Sequence, residues 1–465
     1  MLGSKHSSFY GTEIRLYDQD GSQWLQRGKP LFLPSWWEGN TDKVDYGRSI
    51  AMDSLLSNVS SNPSLRPTVA IIVGCPGCGA AFVTLCGTYG CKSDDSQALL
   101  AATEMEAAYF GYSVDMSRNG NKVAVSSFGN SEIPGSGYVR VWQMEETYEL
   151  TPLGGTIVPN ITITPSNATQ IPTSPHILSI ALAGDGNTLA LVAGDRTGNM
   201  SVQVYAWSEG TWSMMGDPIY ARFCLVPDHP YSDLVALSHY GDALAVVIGE
   251  MGVHVYDFQA NNTEWIPRGN QTLDEVAGED CQLFQSIALS SDGQVIAIGS
   301  FRTEDYAYLR VYQWTGSQWA SAGARRKISQ QATLSMTSSG TKVAVSVPVP
   351  PSSNDVTGKT SVYAIPNIQK CDPSETLLHL SLVATNTTTW EIRENSSKEI
   401  LHEGGSYAGY DSLTVTEAVC LSGETCGLLS VRDTLGFYAY WGSNAQQQLS
   451  GYSAILNATI GSCTS

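Results

Sequence analysis

The chain has 465 residues, of which 44 are acidic and 25 are Lys or Arg, so its formal net charge at pH 7 is −19. An acidic surface disfavours nucleic acid and anionic lipid as partners, because both are bound through clustered basic side chains. No uninterrupted apolar run reaches the ~20 residues of a membrane-spanning helix. The nearest case, residues 68–86, contains a Cys-Pro-Gly-Cys turn and is predicted to form two strands.

The amino terminus matches the later part of a unit that recurs along the chain. Leu2-Gly3-Ser4 aligns with Ile298-Gly299-Ser300, and Gly21-Ser22-Gln23-Trp24 aligns with Gly316-Ser317-Gln318-Trp319. By this alignment the chain opens at the end of the second strand of a repeat. We therefore expect a fragment, a processed form or a shortened gene model.

One phrase then occurs six times: an alternating strand of small and apolar residues, a glycine turn, and a second apolar strand. Its clearest copy runs from Phe284 to Ser300. The other five begin near Tyr46, Gly111, Ile177, Ser232 and Ala332, and an insertion between Ser54 and Pro67 splits the first of them. Alternation with period two predicts strands. Glycine at the junction supplies the positive φ that a tight hairpin requires.

Each phrase continues into further strands marked by aromatic residues. A third strand ends at Trp142, Tyr205, Tyr256, Tyr312 and Tyr363, and a short fourth segment carries Trp24, Trp212, Trp265 and Trp319. Four strands every ~40–50 residues are typical of a β-propeller blade. We predict an all-β protein whose residues 1–368 form a β-propeller. Seven blades are favoured, the first incomplete at the amino terminus, with six as the alternative; a β-sandwich with coincidental self-similarity is less favoured.

The cysteines predict a disulfide framework, because their number is even and they fall into local or domain-bracketing groups. They are Cys75, Cys78, Cys86, Cys91, Cys224, Cys281, Cys371, Cys420, Cys426 and Cys463. The first four fit either two disulfides, in an undetermined pairing, or a zinc knuckle; a neighbouring glycosylation sequon favours disulfides. Of the rest, residues 420 and 426 suit a local bridge, residues 371 and 463 bracket the last segment, and residues 224 and 281 are left to pair across blades.

Nine Asn-X-Ser/Thr sequons also indicate an extracellular or cell-surface protein, and most of them lie in predicted loops. They are Asn58, Asn160, Asn167, Asn199, Asn261, Asn270, Asn386, Asn395 and Asn457. Part of this number is expected by chance in loops rich in Ser and Thr. With the cysteines, the sequons predict a secreted glycoprotein that carries N-linked glycans.

After Tyr363 the blade rhythm stops, and Pro366 to Pro373 reads as a linker. Residues 371–465 show further alternating runs, which predict a small second module, a β-sandwich. Trp390 is expected to anchor the core of this module rather than to bind a ligand.

The phrase, together with the Val-Arg-Val-Tyr type of third strand and the Gly-Ser-x-Trp segment, resembles FG-GAP-like, or integrin-α-like, propeller repeats. Such repeats are abundant in secreted proteins of diatoms and related algae, and the tail resembles a disulfide-bracketed β module that follows them. The resemblance implies calcium loops, but neither candidate motif is intact. The tail reads Asp433-Thr434-Leu435-Gly436-Phe437-Tyr438, where the motif would be Asp-Ser-x-Gly-Asp-Gly, so the second acid is missing. Asp18-Gln19-Asp20-Gly21 lacks further oxygen ligands and is expected to be a simple turn. No cofactor is expected.

No catalytic constellation is evident: the seven histidines lack metal-ligand spacing, and Arg15, Arg140 and Arg310 recur at equivalent strand positions, which favours a structural role. Glu304-Asp305 is expected to be a solvated turn. The leading hypothesis is a non-catalytic structural or adhesive subunit of a cell wall, surface filament or matrix, whose partners are other extracellular proteins or copies of itself. The alternatives are a carbohydrate-binding lectin, with Trp36-Trp37 stacking on sugars, and a degenerate glycoside hydrolase.

Overall fold

The computed structural model describes the larger part of the chain. Its residues are 2–4, 13–20, 23–35, 46–54, 69–87, 90–92, 96–100, 109–129, 137–145, 147–159, 176–194, 199–222, 233–248, 252–269, 273, 283–301, 307–322, 326–328, 332–347, 359–365, 375–384, 387–394, 396–405, 413–422, 426–432, 434, 436–441, 447–451 and 455–461. The chain divides into two compact units, Met1–Ala307 with Ile328–Tyr363 and Tyr308–Lys327 with Ala364–Ser465. Across these residues no helix has the length and apolar character to span a bilayer.

The first unit consists of successive antiparallel sheets, each built mainly from consecutive strands. Two short sheets open it: β1 (Leu2–Ser4) with β2 (Glu13–Arg15), and β3 (Tyr17–Asp20) with β4 (Gln23–Gln26). Three larger sheets follow: β5 (Ile50–Ser54), β6 (Val69–Cys75), β7 (Ala80–Gly87), β8 (Gly90–Cys91) and β9 (Gln97–Leu100); β10 (Phe110–Met116), β11 (Lys122–Ser127), β12 (Tyr138–Met144) and β13 (Leu150–Pro152); β14 (His176–Leu182), β15 (Thr188–Gly194), β16 (Asn199–Ser208), β17 (Thr211–Met214) and β18 (Ile219–Arg222).

Three more sets of strands correspond to the remaining copies of the phrase. They are β19 (Val235–Leu237), β20 (Ala243–Val247), β21 (Val253–Gln259) and β22 (Glu264–Pro267); the hairpin of β23 (Leu283–Leu289) and β24 (Val295–Phe301); and β28 (Thr333–Met336), β29 (Lys342–Val347) and β30 (Lys359–Ala364). Between the last two sets, β25 (Ala307–Trp314) pairs with β26 (Trp319–Ser321) and with β27 (Arg326–Ile328); almost all of these residues belong to the second unit.

The sequence phrase forms the hairpin of the first and second strands of each sheet. Five equivalent turn glycines adopt φ between 66° and 70°: Gly120, Gly186, Gly241, Gly293 and Gly340. This left-handed region favours glycine, so the predicted role of the turn glycines is confirmed. The second strands are almost wholly apolar and buried, as in β15, where every residue is buried. Their side chains pack against both neighbouring sheets.

The sheets follow one another around a common axis. The first strand of each sheet contacts the first strand of the next, from β5 through β10, β14, β19 and β23 to β28. Lys342 of β29 donates a hydrogen bond of 2.9 Å to Gln19 of β3, across 323 positions of sequence. Ile14 and Leu16 next to β3 pack in turn against Ile71 of β6. The amino-terminal strands therefore lie between the last sheet and the first, at a seventh position in the ring.

This arrangement confirms the prediction of an all-β protein with a β-propeller. Radial packing buries the apolar faces of the blades against each other and leaves only short sheet edges. The seventh position is occupied by β1–β4, as the alignment of the amino terminus with residues 298–319 predicts.

The second unit contains two four-stranded antiparallel sheets, the components of the predicted β-sandwich. Their strands are β31 (Glu375–Ala384), β32 (Thr389–Glu394), β33 (Ile400–Gly405), β34 (Leu413–Ser422), β35 (Cys426–Arg432), β36 (Gly436–Trp441), β37 (Gln447–Gly451) and β38 (Ile455–Gly461), in the orders β34-β31-β36-β37 and β33-β32-β35-β38. Trp390 is only 5% exposed, and Ile392, two residues along the same strand, is fully buried. Trp390 is thus a core residue, as expected. The predicted boundary between residues 368 and 371 lies outside the described residues and stays a prediction.

Candidate functional site

The first strands of the blades enclose the propeller axis, and the polar groups on them form the candidate site. Since these strands run the same way around the ring, all begin at one mouth of the axial channel and end at the other. We name these the start mouth and the turn mouth; the glycine turns lie at the turn mouth. Functional groups of a propeller that face the axis must lie on one of these mouths or on the wall between them.

A ring of serines joins the first strands to one another. The hydroxyl oxygens of Ser49, Ser113, Ser179 and Ser286 each accept a hydrogen bond of 3.0–3.3 Å from a backbone N–H of the next blade's first strand. Because an unpaired N–H would be costly in this buried position, these serines satisfy the inner edge of the neighbouring blade. Their recurrence in the phrase is therefore structural.

Three carboxylates, Asp53, Asp115 and Asp233, interrupt this pattern of small residues. Asp115 accepts N–H groups from Leu182 of the next blade at 2.6 Å and from Met116 at 2.8 Å. Asp233 accepts the hydroxyl of Ser286 at 3.0 Å. All three side chains are partly accessible although protein surrounds them. They are therefore wall groups of the channel; Asp115 and Asp233 also bond to the next blade, whereas Asp53 accepts hydrogen bonds from the adjacent Ser54.

Burial makes ionisation of these carboxyl groups unfavourable. Burial is the main cause of the pKa of about 7 at Asp115, and the charges of Asp233 and Asp53 also raise this pKa. The backbone N–H groups of Leu182 and Met116, which donate to Asp115, lower it. Burial also raises the pKa of Asp233 to about 6 and that of Asp53, although Arg118 and His239 partly offset the latter. Desolvation is the dominant cause in each case. The channel wall thus contains acids that take up protons near neutral pH.

At the turn mouth, backbone hydrogen bonds link the turns of successive blades. The N–H of Arg118 donates to Gly184, that of His239 to Ser291, and that of Ser291 to Ser338, at 2.7–3.0 Å. This belt places Arg118 and His239 near Asp53, which explains their favourable charge interactions with it. The described residues include no cluster of three or more His, Cys, Asp or Glu side chains suited to a metal ion.

The start mouth carries a contiguous group of four rings and one guanidinium from three blades, which we call the aromatic platform: Arg48, Tyr109, Tyr112, Phe128 and His176. The Phe128 ring stacks on His176 at 4.4 Å between centroids, lies 4.6 Å from Tyr112 and meets Tyr109 edge-on at 6.2 Å. The guanidinium carbon of Arg48 lies 4.1 Å from the centroid of Tyr112, a cation–π contact. The platform therefore bridges three blades in one continuous surface.

Two members of the platform face solvent in ways that the fold does not require. Tyr109 is 58% exposed and has a φ of 58°, a strained backbone for a non-glycine residue. Arg48 is half-buried, and within the described chain its guanidinium has no hydrogen bond or ion pair. An exposed ring and an unpaired planar cation are groups that recognise ligands.

The cysteines of the first complete blade form two local disulfides, Cys75–Cys78 and Cys86–Cys91. The first closes the turn between β6 and β7, and the second joins the paired strands β7 and β8. This pairing answers the choice that the sequence left open between disulfides and a zinc knuckle. The remaining predicted bridges stay predictions: Cys224, Cys281, Cys371 and Cys463 lie outside the described residues, as do the side chains of Cys420 and Cys426.

Three of the nine sequons fall on described residues. Asn261 is exposed in the turn between β21 and β22, where a glycan would reach water freely. Asn199 begins β16 and Asn457 lies in the edge strand β38. The other six sequons, Trp36-Trp37 and Glu304-Asp305 lie outside the described residues.

Several polar residues considered from the sequence are used internally. Arg140 donates to Thr156 at 3.0 Å, which fits the structural role expected for the recurring arginines. Asp18, in the stretch considered for calcium, instead forms a two-point ion pair with Arg27. The same arrangement recurs between Asp257 and Arg268. These carboxylates are thus occupied by guanidinium groups rather than left for a cation.

Sequence reasoning did not identify the aromatic platform or the channel acids. A signal for the acids was present, because Asp115 stands where the other phrases have small or apolar residues such as Ala51 and Ala181. The platform gave no comparable signal: Arg48 and Tyr112 hold the same position of the phrase, before Ser49 and Ser113, but the residue type at that position changes from copy to copy.

No family model matches the chain, and a search of curated proteins gave no match. Among solved structures, it is similar to a protein of Lactobacillus plantarum at 12% identity and a TM-score of 0.45, covering 90% of this chain and 98% of that one. It is also similar to the Swd1 β-propeller domain of Myceliophteria thermophila (8%, TM-score 0.44, 76% and 91% covered) and to the periplasmic gluconolactonase of Pseudomonas aeruginosa (14%, 0.44, 78% and 98%). With TM-scores below 0.5 these similarities carry no argument, and the fold assignment depends on the strand pairing described above.

Proposed function

We propose that the protein is a secreted, glycosylated and non-catalytic subunit of an extracellular assembly, with a structural or adhesive role, built on repeats of the FG-GAP-like type. The observation that carries this proposal is the use of the recurring polar residues. In addition to the serine ring, the indole N–H of Trp212 donates to the carbonyl of Leu153 at 3.0 Å, and that of Trp265 donates to Met215 at 2.8 Å, each in the preceding blade. Residues repeated in this way stiffen a scaffold.

Two further observations support an extracellular role. The disulfides Cys75–Cys78 and Cys86–Cys91 are typical of an oxidising compartment. Asn261 presents its sequon on an exposed outer turn. Both features suit a rigid module that is displayed outside the cell and bound through its surface.

The proposal is tested by fractionating native material into soluble medium, cell-surface and matrix pools and following the protein in each. We expect it in a surface or matrix pool, with a mass that falls on treatment with an N-glycanase and with crosslinks to neighbouring chains. Recovery as a free monomer without glycans would overturn the proposal. The non-catalytic part is tested with glycoside and ester substrates, where turnover that disappears in Asp115→Asn would contradict it.

A second candidate, a carbohydrate-binding lectin, is favoured by the aromatic platform. Sugars bind by laying the C–H face of a pyranose ring on an aromatic ring, and the exposed Tyr109 offers such a face at the start mouth. Trp36-Trp37, the aromatic pair suggested by the sequence, is not needed for this candidate. The two candidates are compatible, because an adhesive subunit requires a ligand.

A further inference from the structure

The aromatic platform combines two recognition groups that differ in chemistry. Tyr109 offers a ring that is 58% exposed, and Phe128 fixes that ring from one side at 6.2 Å. The ring can therefore receive the apolar face of a flat or chair-shaped ligand with little further loss of side-chain freedom. Because Tyr112 and His176 flank Phe128, the support beneath Tyr109 is a packed surface rather than a single side chain.

Arg48 is the charged group of the aromatic platform. Its guanidinium carbon lies over the Tyr112 ring, 4.1 Å from the centroid, and a guanidinium held on an aromatic face can still donate hydrogen bonds from its N–H groups. Within the described chain no carboxylate lies within ion-pair distance of it, although acidic residues outnumber basic ones by 44 to 25. Asp233, which also precedes a first strand at this mouth, is bonded to Ser286. A guanidinium without a carboxylate partner, in a protein this acidic, is suited to bind a carboxylate that a ligand supplies.

We propose that the aromatic platform binds an acidic oligosaccharide, one ring of which packs on Tyr109 while a carboxylate of the same saccharide is held by Arg48. This proposal rests on the adhesive role proposed above and gives that role a ligand class. It can nevertheless fail on its own, since its test uses purified protein and does not depend on any assembly.

The experiment is a calorimetric titration of the purified full chain with oligoglucuronate and, in parallel, with neutral oligoglucose of the same length. Arg48→Gln is expected to weaken binding of the acidic oligosaccharide about tenfold to a hundredfold, as expected when a charged hydrogen-bonding partner is removed. Arg48→Lys keeps the positive charge but loses the planar guanidinium, so its affinity is expected to lie between those of Arg48→Gln and the unaltered chain. Tyr109→Ala is expected to weaken binding of the acidic ligand by a similar factor.

Tyr240→Ala is the matched control, because Tyr240 is 70% exposed and lies in the turn between β19 and β20 at the opposite mouth. It should bind like the unaltered chain, and thermal unfolding of each variant establishes that it is folded. Equal binding of neutral and acidic oligosaccharides would overturn the assignment of Arg48, and so would no binding of either. Binding of an acidic peptide in place of the sugar would overturn the ligand class. If the protein is found in a surface pool but the purified chain does not bind oligoglucuronate, this inference fails while the proposed adhesive role stands.

Discussion

Substitution of Gly111 by alanine tests how closely the first two complete blades approach each other. Gly111 lies in β10 with a φ of 91°, and a Cβ added to it would be 2.2 Å from the carbonyl oxygen of Ala80 and 2.9 Å from the amide nitrogen of Cys75. Both atoms belong to the backbone beside the Cys75–Cys78 disulfide. They cannot rotate away as a flexible side chain would, so the blades must separate or the strand must shift.

The size of the effect follows from two contributions. A non-glycine residue at this φ costs about 1–2 kcal/mol. Overpacking of a close contact adds about 1–3 kcal/mol, so Gly111→Ala should lower the free energy of unfolding by about 2–5 kcal/mol. Gly210→Ala is the matched control: Gly210 has a φ of 83°, but an added Cβ would meet nothing within 4 Å. Gly210→Ala should therefore lower the free energy of unfolding by the backbone contribution alone.

The assay is urea unfolding followed by circular dichroism, with hydrogen exchange of β10 as a local readout. The expected result is a lower midpoint for Gly111→Ala than for Gly210→Ala at similar denaturant dependence, together with faster exchange in β10. Equal losses in the two variants would refute the close blade-to-blade packing on which the ring geometry depends.

Three further outcomes are expected. Burial raises the pKa of Asp115 to about 7, above the usual 3.9. The free energy of unfolding should therefore fall as the pH rises from 4 to 8, and Asp115→Asn should remove roughly 4 kcal/mol of that fall. Parallel curves of unfolding free energy against pH for the two proteins would contradict this. Trp265→Phe removes the indole N–H that donates to Met215 and should lower the free energy of unfolding by about 1 kcal/mol, measured by thermal unfolding. Trp24→Phe, at a ring that is 45% exposed, should lower it clearly less. Equal losses of stability would argue against the interblade hydrogen bond. Asn261→Gln, expressed in a secretory host, should lower the mass by one glycan without changing stability, and an unchanged mass would show that the sequon is unused.

Much of the fold could be predicted because its information is local and repeated. Alternating apolar residues specify strands, and the turn glycines specify hairpins whose φ of 66–70° agrees with the prediction. Each copy of the phrase predicts the same pair of strands, so six copies together support the assignment of strands more strongly than any single copy does. The amino-terminal strands were predicted in the same way, by comparison of residues 2–24 with residues 298–319.

The candidate site could be predicted only in part. The local cysteine spacing indicated bridges, but it could not distinguish Cys75–Cys78 with Cys86–Cys91 from other pairings, because pairing depends on how β7 and β8 lie side by side. The recurring serines and tryptophans were visible as repeats, yet their hydrogen-bond partners lie about 50–67 positions away.

The sequence by itself determined the kind of local structure, the repeat length and the acidic, cysteine-paired character of this protein, because these depend on composition and on neighbours along the chain. Only the tertiary structure decided which groups share a surface. Arg48, Tyr109 and His176 come from three different blades and are linked through Tyr112 and Phe128, because the first strands begin together around one axis. Closure of the ring brings Lys342 to Gln19 for the same reason. Proximity of this kind arises from radial packing of the blades and is not encoded in any single segment.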